Sequence, residues 1–336
     1  MSDILKPLIS RLCDAEQLSF EEMQNAFSIL MSGEATVAQI TSFMISLKIR
    51  GETATDIAAG ASQMRANAKR IKAPLNAIDI VGTGGDGSQS LNISTASAII
   101  VAGCGVPVAK HGNKAVSSKS GAADILNELG INLESEFWVI EKAISQAGIG
   151  FLMAPRHHPT LRHVGPTRIE LGVRTIFNLL GPLLNPLKLN FQLLGVSNYE
   201  NLLTHAKCLS KMNLKKAWVV FGEKGYDELT TTSKNYIIEV KKNKISKVKT
   251  LDPKEIGFKI RKQNELKGGT PQENAFIMRR LFEGESGAIR DNVILNTAAG
   301  LFICNKVKNI KEGVSKATMN IDNGLGLKKL NSLITS

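Results

Sequence analysis

Ile78-Asp79-Ile80-Val81-Gly82-Thr83-Gly84-Gly85-Asp86-Gly87 reads as a short strand that runs straight into a glycine loop. Loops of this kind cradle phosphate in α/β proteins, because glycine lets main-chain N–H groups approach oxygen atoms with no Cβ in the way. The run from Gly82 to Gly87 also satisfies GxGxxG, the dinucleotide-binding pattern. Two features oppose that reading. Polar Ser88-Gln89-Ser90-Leu91-Asn92 intervenes before the apolar run that begins at Ile93, whereas a dinucleotide loop opens directly into its helix. From Gly87 to Ala123 there is no acidic residue, so the Asp or Glu that would hold a ribose about 20 residues on is missing.

The same stretch suits a polyanion. Asn92-Ile93-Ser94-Thr95 puts short polar side chains at the start of the next helix, where unpaired N–H groups and the positive dipole end favour anions. The next strand candidate, Pro107-Val108-Ala109, leads into a loop from Lys110 to Gly121 that holds Lys110, Lys114 and Lys119 with Ser117, Ser118 and Ser120. Two such segments at successive strand ends mark the place where α/β sheets bind ligands.

Further along, strand candidates at 149–153, 191–196 and 217–221 alternate with helical segments at 120–129, 135–147 and 200–212. That alternation predicts a mainly parallel central sheet flanked by helices. Residues 234–250 read as a hairpin around Lys242-Asn243, and Thr270-Pro271-Gln272-Glu273 opens a run of helices toward the C-terminus. Upstream, residues 1–70 read as helices only. Capping pairs Ser19/Glu22, Thr36/Gln39 and Thr53/Asp56 start three amphipathic helices. The expected fold class is α/β: a small N-terminal helical domain over 1–70, joined by helices from about 160–185, and a larger α/β domain over 71–336. Three such helices carry more apolar surface than a small bundle buries, so packing against the rest of the chain or a second subunit is expected.

Composition narrows the classes. The chain has 336 residues, 43% of them hydrophobic, with 42 Lys and Arg against 30 Asp and Glu, a net charge of +12. The longest apolar stretch, 96–109, is short of the ~20 residues a bilayer requires. The first residues interleave charges and lack the apolar core of a signal peptide. Cys13, Cys104, Cys208 and Cys304 are far apart, without CxxC spacing, so neither a zinc site nor a disulfide framework is suggested. A soluble, cytoplasmic protein is expected.

Four separated motifs in order carry a resemblance: GTGGD at 82–86, NIST at 92–95, KHGN at 110–113 with AVSSKSG at 115–121, and HHPTLRHVGPTR at 157–168 with ELGVRTIFNLLGPLLNP at 170–186. Together with MSGE at 31–34, GET at 51–53 and GGTPQENA at 268–275 they cover nearly the whole chain. The sequence resembles the anthranilate phosphoribosyltransferases, which join anthranilate to phosphoribosyl pyrophosphate in tryptophan biosynthesis.

The resemblance implies a donor site formed by Gly82, Gly85, Asp86, Ser90, Asn92, Ile93, Ser94, Thr95, Lys110, His111, Gly112, Asn113, Lys114, Ala115, Val116, Ser117, Ser118 and Ala122. It implies Mg²⁺ held by Ser94, Asp227 and Glu228, since this hard cation takes oxygen ligands. It implies an anthranilate site formed by Gly82, Asn113 and Arg168 with His111 and His158; arginine's planar fork matches a carboxylate. It also implies a homodimer through the N-terminal helices. Three positions depart from the family pattern: Lys114 for Arg, Ser90 for Thr and Ala122 for Ser. An aromatic amine is neutral at pH 7, so no general base is assigned, and direct displacement at C1 with inversion is expected.

The alternatives are a related phosphoribosyltransferase or nucleoside phosphorylase acting on another base, and a non-catalytic nucleic-acid-binding relative. His157, His158 and His163 lack metal-binding helical spacing. Most of the positive charge falls in 201–270, with sixteen Lys and Arg against seven Asp and Glu. Few aromatics interleave those lysines, which reads as a solvated surface and implies neither nucleic acid nor membrane.

Overall fold

The computed structural model describes residues 2–113 and 120–335. The chain divides into two compact units, Met1–Arg70 with Ala154–Pro186, and Ile71–Met153 with Leu187–Ser336.

The first unit is helical: α1 (Ser2–Cys13), α2 (Phe20–Ser32), α3 (Val37–Arg50) and α4 (Ala54–Ala66), with α8 (Ala154–His157), α9 (Gly165–Leu171) and α10 (Ile176–Leu180) returning later in the chain. All three expected capping boxes form, each with side chain and main chain satisfied reciprocally. Helix α1 adds to the three helices expected. Leu5, Leu8 and Leu12 bury one of its faces, and the helix continues through Pro7, which lies near its start. Phe27 centres the core, edge-on to Phe43 at 6.0 Å and to Phe177 at 5.7 Å.

The second unit is built on β1 (Ile78–Gly82), β2 (Val108–Gly112), β3 (Ile149–Met153), β4 (Phe191–Gly195), β5 (Lys216–Gly222), β6 (Asn235–Lys241), β7 (Lys244–Ile245) and β8 (Lys249–Leu251). The order is β3-β2-β1-β4-β5-β6-β7, with β8 also paired to β6. Strands β1 to β5 are parallel, and β6 to β8 are added antiparallel. The expected hairpin is present, with positive φ at both Lys242 and Asn243, as a tight two-residue turn requires. Flanking helices are α5 (Ile93–Gly103), α6 (Ala122–Glu128), α7 (Phe137–Lys142), α11 (Asn201–Ser210), α12 (Pro271–Phe282), α13 (Ala288–Ile303), α14 (Ile310–Asp322) and α15 (Leu325–Ile334). The helix expected over 135–147 widens into a π turn at Ala143–Ala147. The main core lies where the sheet meets α5 and α13.

The chain leaves β1 for β2 and β3 on one side of the sheet and returns as β4 and β5 on the other. A reversal of this kind opens a crevice beyond the carboxyl ends of the strands, where open α/β sheets take their ligands. β1 ends there with the glycine loop.

Candidate functional site

Gly84, Gly85 and Gly87 all have positive φ, which is why the loop after β1 needs glycine at these points. The loop is tied down on two sides. Thr83 N donates to Gly195 O at 3.0 Å and Ser197 N to Thr83 Oγ1 at 3.2 Å, anchoring it to the end of β4. Leu91 N donates to Leu266 O at 3.0 Å and Gly268 N to Gln89 O at 2.8 Å, so Gln89–Leu91 pairs with the segment ahead of α12.

Asp227 and Glu228, far away in sequence, meet this loop. Gly84 N donates to Asp227 Oδ2 at 2.6 Å, and Ser90 Oγ donates to Glu228 Oε1 at 3.2 Å. Ser88 N donates to Asp86 Oδ1 at 3.1 Å, while the buried Asp86 Oδ2 has no hydrogen-bond partner among the described residues. The acidic pair can sit there because β1, β4 and β5 all end in glycine. A Cβ on Gly82 would strike the Asp227 carboxylate, one on Gly195 the Asp227 carbonyl, and one on Gly222 would lie 2.7 Å from the Glu228 carbonyl.

Behind the pair, two buried asparagines one turn apart on α13 grip the chain. Asn296 accepts from Leu229 N at 3.1 Å and donates to Leu229 O at 2.8 Å. Asn292 accepts from Thr231 N at 2.7 Å.

The electrostatics are unbalanced toward negative charge. Burial pushes the Glu228 carboxyl well above the usual carboxylate range, and the charges of Asp227 and Asp86 add to the push. The nearby ammonium is that of Lys110, whose pKa burial lowers while Asp79, Asp227 and Glu228 hold it up. Oxygen donors so arranged suit a hard divalent cation. Among the described residues no three His, Cys, Asp or Glu side chains cage a metal by themselves. An ion on Asp227 and Glu228 would therefore complete its shell with hydroxyl, water or bound-anion oxygens.

One expectation changes here. β2 runs on to Gly112, and Lys110, His111 and Gly112 pair in register with Phe151, Leu152 and Met153 of β3. Lys110 and His111 are therefore buried strand residues and not loop residues. Lys110 Nζ donates to Ile80 O at 2.6 Å and to Ser94 Oγ at 3.2 Å, and His111 N donates to Asp79 Oδ1 at 3.1 Å. Asp79, fully buried in β1, is a further support of the site, marked in the sequence as an acid set between two isoleucines just ahead of the glycine loop. Ile93 and Thr95, also expected at the donor, are fully buried in the first turn of α5.

Asn92 stands at the N-cap of α5 but makes no side-chain cap. Its Nδ2 instead donates to Ser120 O at 3.3 Å. With no side-chain cap, Ile93 N and Thr95 N donate instead to main chain, Leu91 O at 2.5 Å and Asn92 O at 3.0 Å. Asn113 O accepts from Ala123 N at 3.2 Å, and Ala122 begins α6 against Gly112, its Cβ 3.5 Å from where a Gly112 Cβ would stand. The expected donor residues Lys114, Ala115, Val116, Ser117 and Ser118 lie outside the described residues.

In the helical unit, Arg168 lies on α9 with its guanidinium 5.0 Å from the centre of the Phe177 ring. Burial lowers its pKa, though an arginine keeps its charge. No acidic partner accompanies it among the described residues. His158 is buried, with Nε2 2.7 Å from Leu184 O, and His157 Nδ1 lies 2.7 Å from Lys69 O. Both rings brace main chain inside this unit.

Comparison with known proteins identifies the family. The description "Glycosyl transferase family, helical bundle domain" matches residues 6–68, and "Glycosyl transferase family, a/b domain" matches residues 75–327. The chain is 47% identical over 330 residues to the anthranilate phosphoribosyltransferase of Mesorhizobium japonicum, covering 98% of each. It is 48% identical over 331 residues to that of Parvibaculum lavamentivorans, covering 98% of this chain and 97% of the relative. The crystal structure of the Thermus thermophilus enzyme matches with a TM-score of 0.91 at 40% identity, over 97% of this chain and 98% of the other. The Saccharomyces cerevisiae enzyme, solved in complex with PRPP and Mg, matches with a TM-score of 0.92 at 29% identity, over 100% of this chain and 98% of the other.

Proposed function

The chain belongs to the anthranilate phosphoribosyltransferases, and on that premise we propose that the residues at its sheet's switch point hold phosphoribosyl pyrophosphate and Mg²⁺. The reaction transfers the 5-phosphoribosyl group to the amine of anthranilate, giving N-(5-phosphoribosyl)anthranilate and pyrophosphate, a step of tryptophan biosynthesis. The observation that carries the site reading is the meeting of three features at one crevice: a glycine loop, the start of α5 with no side-chain cap from Asn92, and the acidic pair Asp227-Glu228, whose Glu228 is buried.

The donor's phosphates take main-chain N–H groups of the glycine loop, with Ser90, Asn92 and Asn113 beside them. The run from Lys114 to Ser118 remains assigned to the donor on the family pattern. Ser94, Asp227 and Glu228 hold Mg²⁺, and the surplus of carboxylate charge around Glu228 supports this assignment. Bound there, Mg²⁺ supplies positive charge to the departing pyrophosphate. Lys110 balances the acidic pair from below the site and keeps Ser94 Oγ in place.

Arg168 takes the anthranilate carboxylate: its half-buried guanidinium has no acidic partner among the described residues and is oriented by Phe177. Gly82 and Asn113 are assigned to the acceptor with it, and His111 by the family pattern. We assign His158 to the packing of its own unit, because its ring is buried against the Leu184 carbonyl. The amine nitrogen attacks C1 of the ribose, the C1–O bond to pyrophosphate breaks with inversion, and the amine proton leaves to solvent. Orientation and electrostatics supply the rate, with no covalent intermediate.

A homodimer through the N-terminal helices is supported by Ile4 on α1 with Val37 and Ile49 on α3, all exposed. A cytoplasmic location is supported by four free cysteines. No helix among the described residues is long and apolar enough to cross a membrane. The test follows anthranilate fluorescence in a mixture of enzyme, phosphoribosyl pyrophosphate and Mg²⁺. The signal falls if the reading is right, and a folded protein that leaves it unchanged overturns the assignment.

A further inference from the structure

The segment Gly268-Gly269-Thr270-Pro271-Gln272-Glu273-Asn274-Ala275 has no part in the site as assigned so far, yet it reaches that site through one side chain. Asn274, on the first turn of α12, is almost wholly buried. Its Oδ1 accepts from Gly269 N at 2.7 Å, and its Nδ2 donates to Asn92 Oδ1 at 3.4 Å. A Cβ on Gly268 would stand 2.7 Å from Asn274 Oδ1, so the glycine is what admits the amide. Gly268 N in turn holds Gln89 O at 2.8 Å. The carboxamide of Asn92 is thus set between two fixed partners, Asn274 on one side and the Ser120 carbonyl on the other.

An N-cap asparagine ordinarily turns its oxygen onto the N–H groups of its own helix. Here that oxygen faces Asn274 and makes no such cap. We propose that Asn274 is a positioning residue for the phosphoribosyl donor: it fixes the carboxamide of Asn92 in the orientation that meets the donor, and aligns the glycine loop with the segment at Ser120. This inference rests on the donor-site reading of Asn92. Asn274 itself touches no reacting atom. Its loss therefore raises the donor KM and leaves the anthranilate KM unchanged.

The experiment is a double-mutant cycle on the full-length enzyme with Asn274→Ala, Asn92→Ala and the pair, reading both KM values, kcat and the affinity for phosphoribosyl pyrophosphate by calorimetry. Asn274→Ala is expected to raise the donor KM about tenfold, the order of one lost buried hydrogen bond. In the Asn92→Ala background the same change is expected to add less than about twofold, because the residue through which it acts is gone. An equal tenfold effect in both backgrounds overturns the positioning role and leaves the donor site standing. An Asn92→Ala enzyme with unchanged donor KM overturns the donor-site reading, and this inference with it. If Asn274→Ala does not fold, Gly268→Ala displaces the same amide by a milder route and is read by the same cycle.

Discussion

Asp227 Oδ2 accepts a hydrogen bond from Gly84 N at 2.6 Å, closing a link across 143 residues of sequence. The carboxylate is thereby tied to the loop assigned to the donor, so the acidic pair and the phosphate cradle cannot move independently. Replacing Asp227 by Asn keeps the shape and removes the charge. Asp227→Asn is expected to lower kcat at least tenfold and to raise the Mg²⁺ concentration needed for half-maximal rate, with the anthranilate KM unchanged. Initial rates in a Mg²⁺ titration at saturating substrates decide this; an unaltered titration curve removes Asp227 from the metal site.

Gly195→Ala tests how the pair is held. The new methyl group would strike the Asp227 carbonyl, and backbone yields less readily than a side-chain end. Overpacking of this kind costs about 1–3 kcal/mol, read as a lowered urea midpoint, and the donor KM is expected to rise with it. An alanine enzyme with full stability and full donor affinity would show that the 226–228 segment can sit elsewhere.

What could be read in advance was local. Ser19 with Glu22, Thr36 with Gln39, Thr53 with Asp56 and Thr270 with Glu273 all form their capping boxes, because a cap depends only on residues three apart. The glycine loop was legible for a similar reason: it needs one strand and three glycines in sequence. The supports of the acidic pair were not. Gly195 and Gly222 look like ordinary strand-end residues until Asp227 and Glu228 fold over them. Asn296 reads as a polar misfit in an apolar helix until its partner, the main chain of Leu229, is brought alongside. The depth of Lys110 was also hidden, since β2 gains its last residues by pairing with β3.

Arg168→Ala is expected to raise the anthranilate KM by a hundredfold or so, about 3 kcal/mol for a charge-assisted pair, while the donor KM changes less than about twofold. Arg168→Lys keeps the charge but loses the planar fork and the stacking on Phe177, so it recovers only part of the loss. Steady-state kinetics with each substrate varied in turn separates the outcomes. Equal damage to both KM values would take Arg168 out of the acceptor site.

Ile49, 82% exposed on α3, is an expensive side chain to leave in water, since full burial of an isoleucine is worth about 1.5–3 kcal/mol. Ile49→Glu puts a charge on the face assigned to the dimer. Light scattering is expected to show half the mass of the unaltered protein at micromolar concentration. A variant of unchanged mass would move the interface away from this helix.

The helical unit contains the stability test with the largest expected effect. Asp56 is 1% exposed and accepts from Thr53 N at 2.7 Å and Thr53 Oγ1 at 2.8 Å, and it pairs with Arg50. Arg50 is itself buried at its guanidinium end, with Nε lacking a hydrogen-bond partner among the described residues. Asp56→Ala therefore strands a buried positive charge and removes the Asp56 half of the α4 capping box together, and a loss of about 3–5 kcal/mol is expected. Replacing both residues, Arg50→Met with Asp56→Leu, leaves no charge behind and is expected to cost clearly less than the single change. Glu16→Ala, which breaks the exposed pair with Arg11, serves as the comparison and should stay below about 1 kcal/mol. Urea unfolding of the three variants checks the order. If Asp56→Ala falls no further than Glu16→Ala, the buried pair does not hold α3 to α4, and the cap alone accounts for the start of α4.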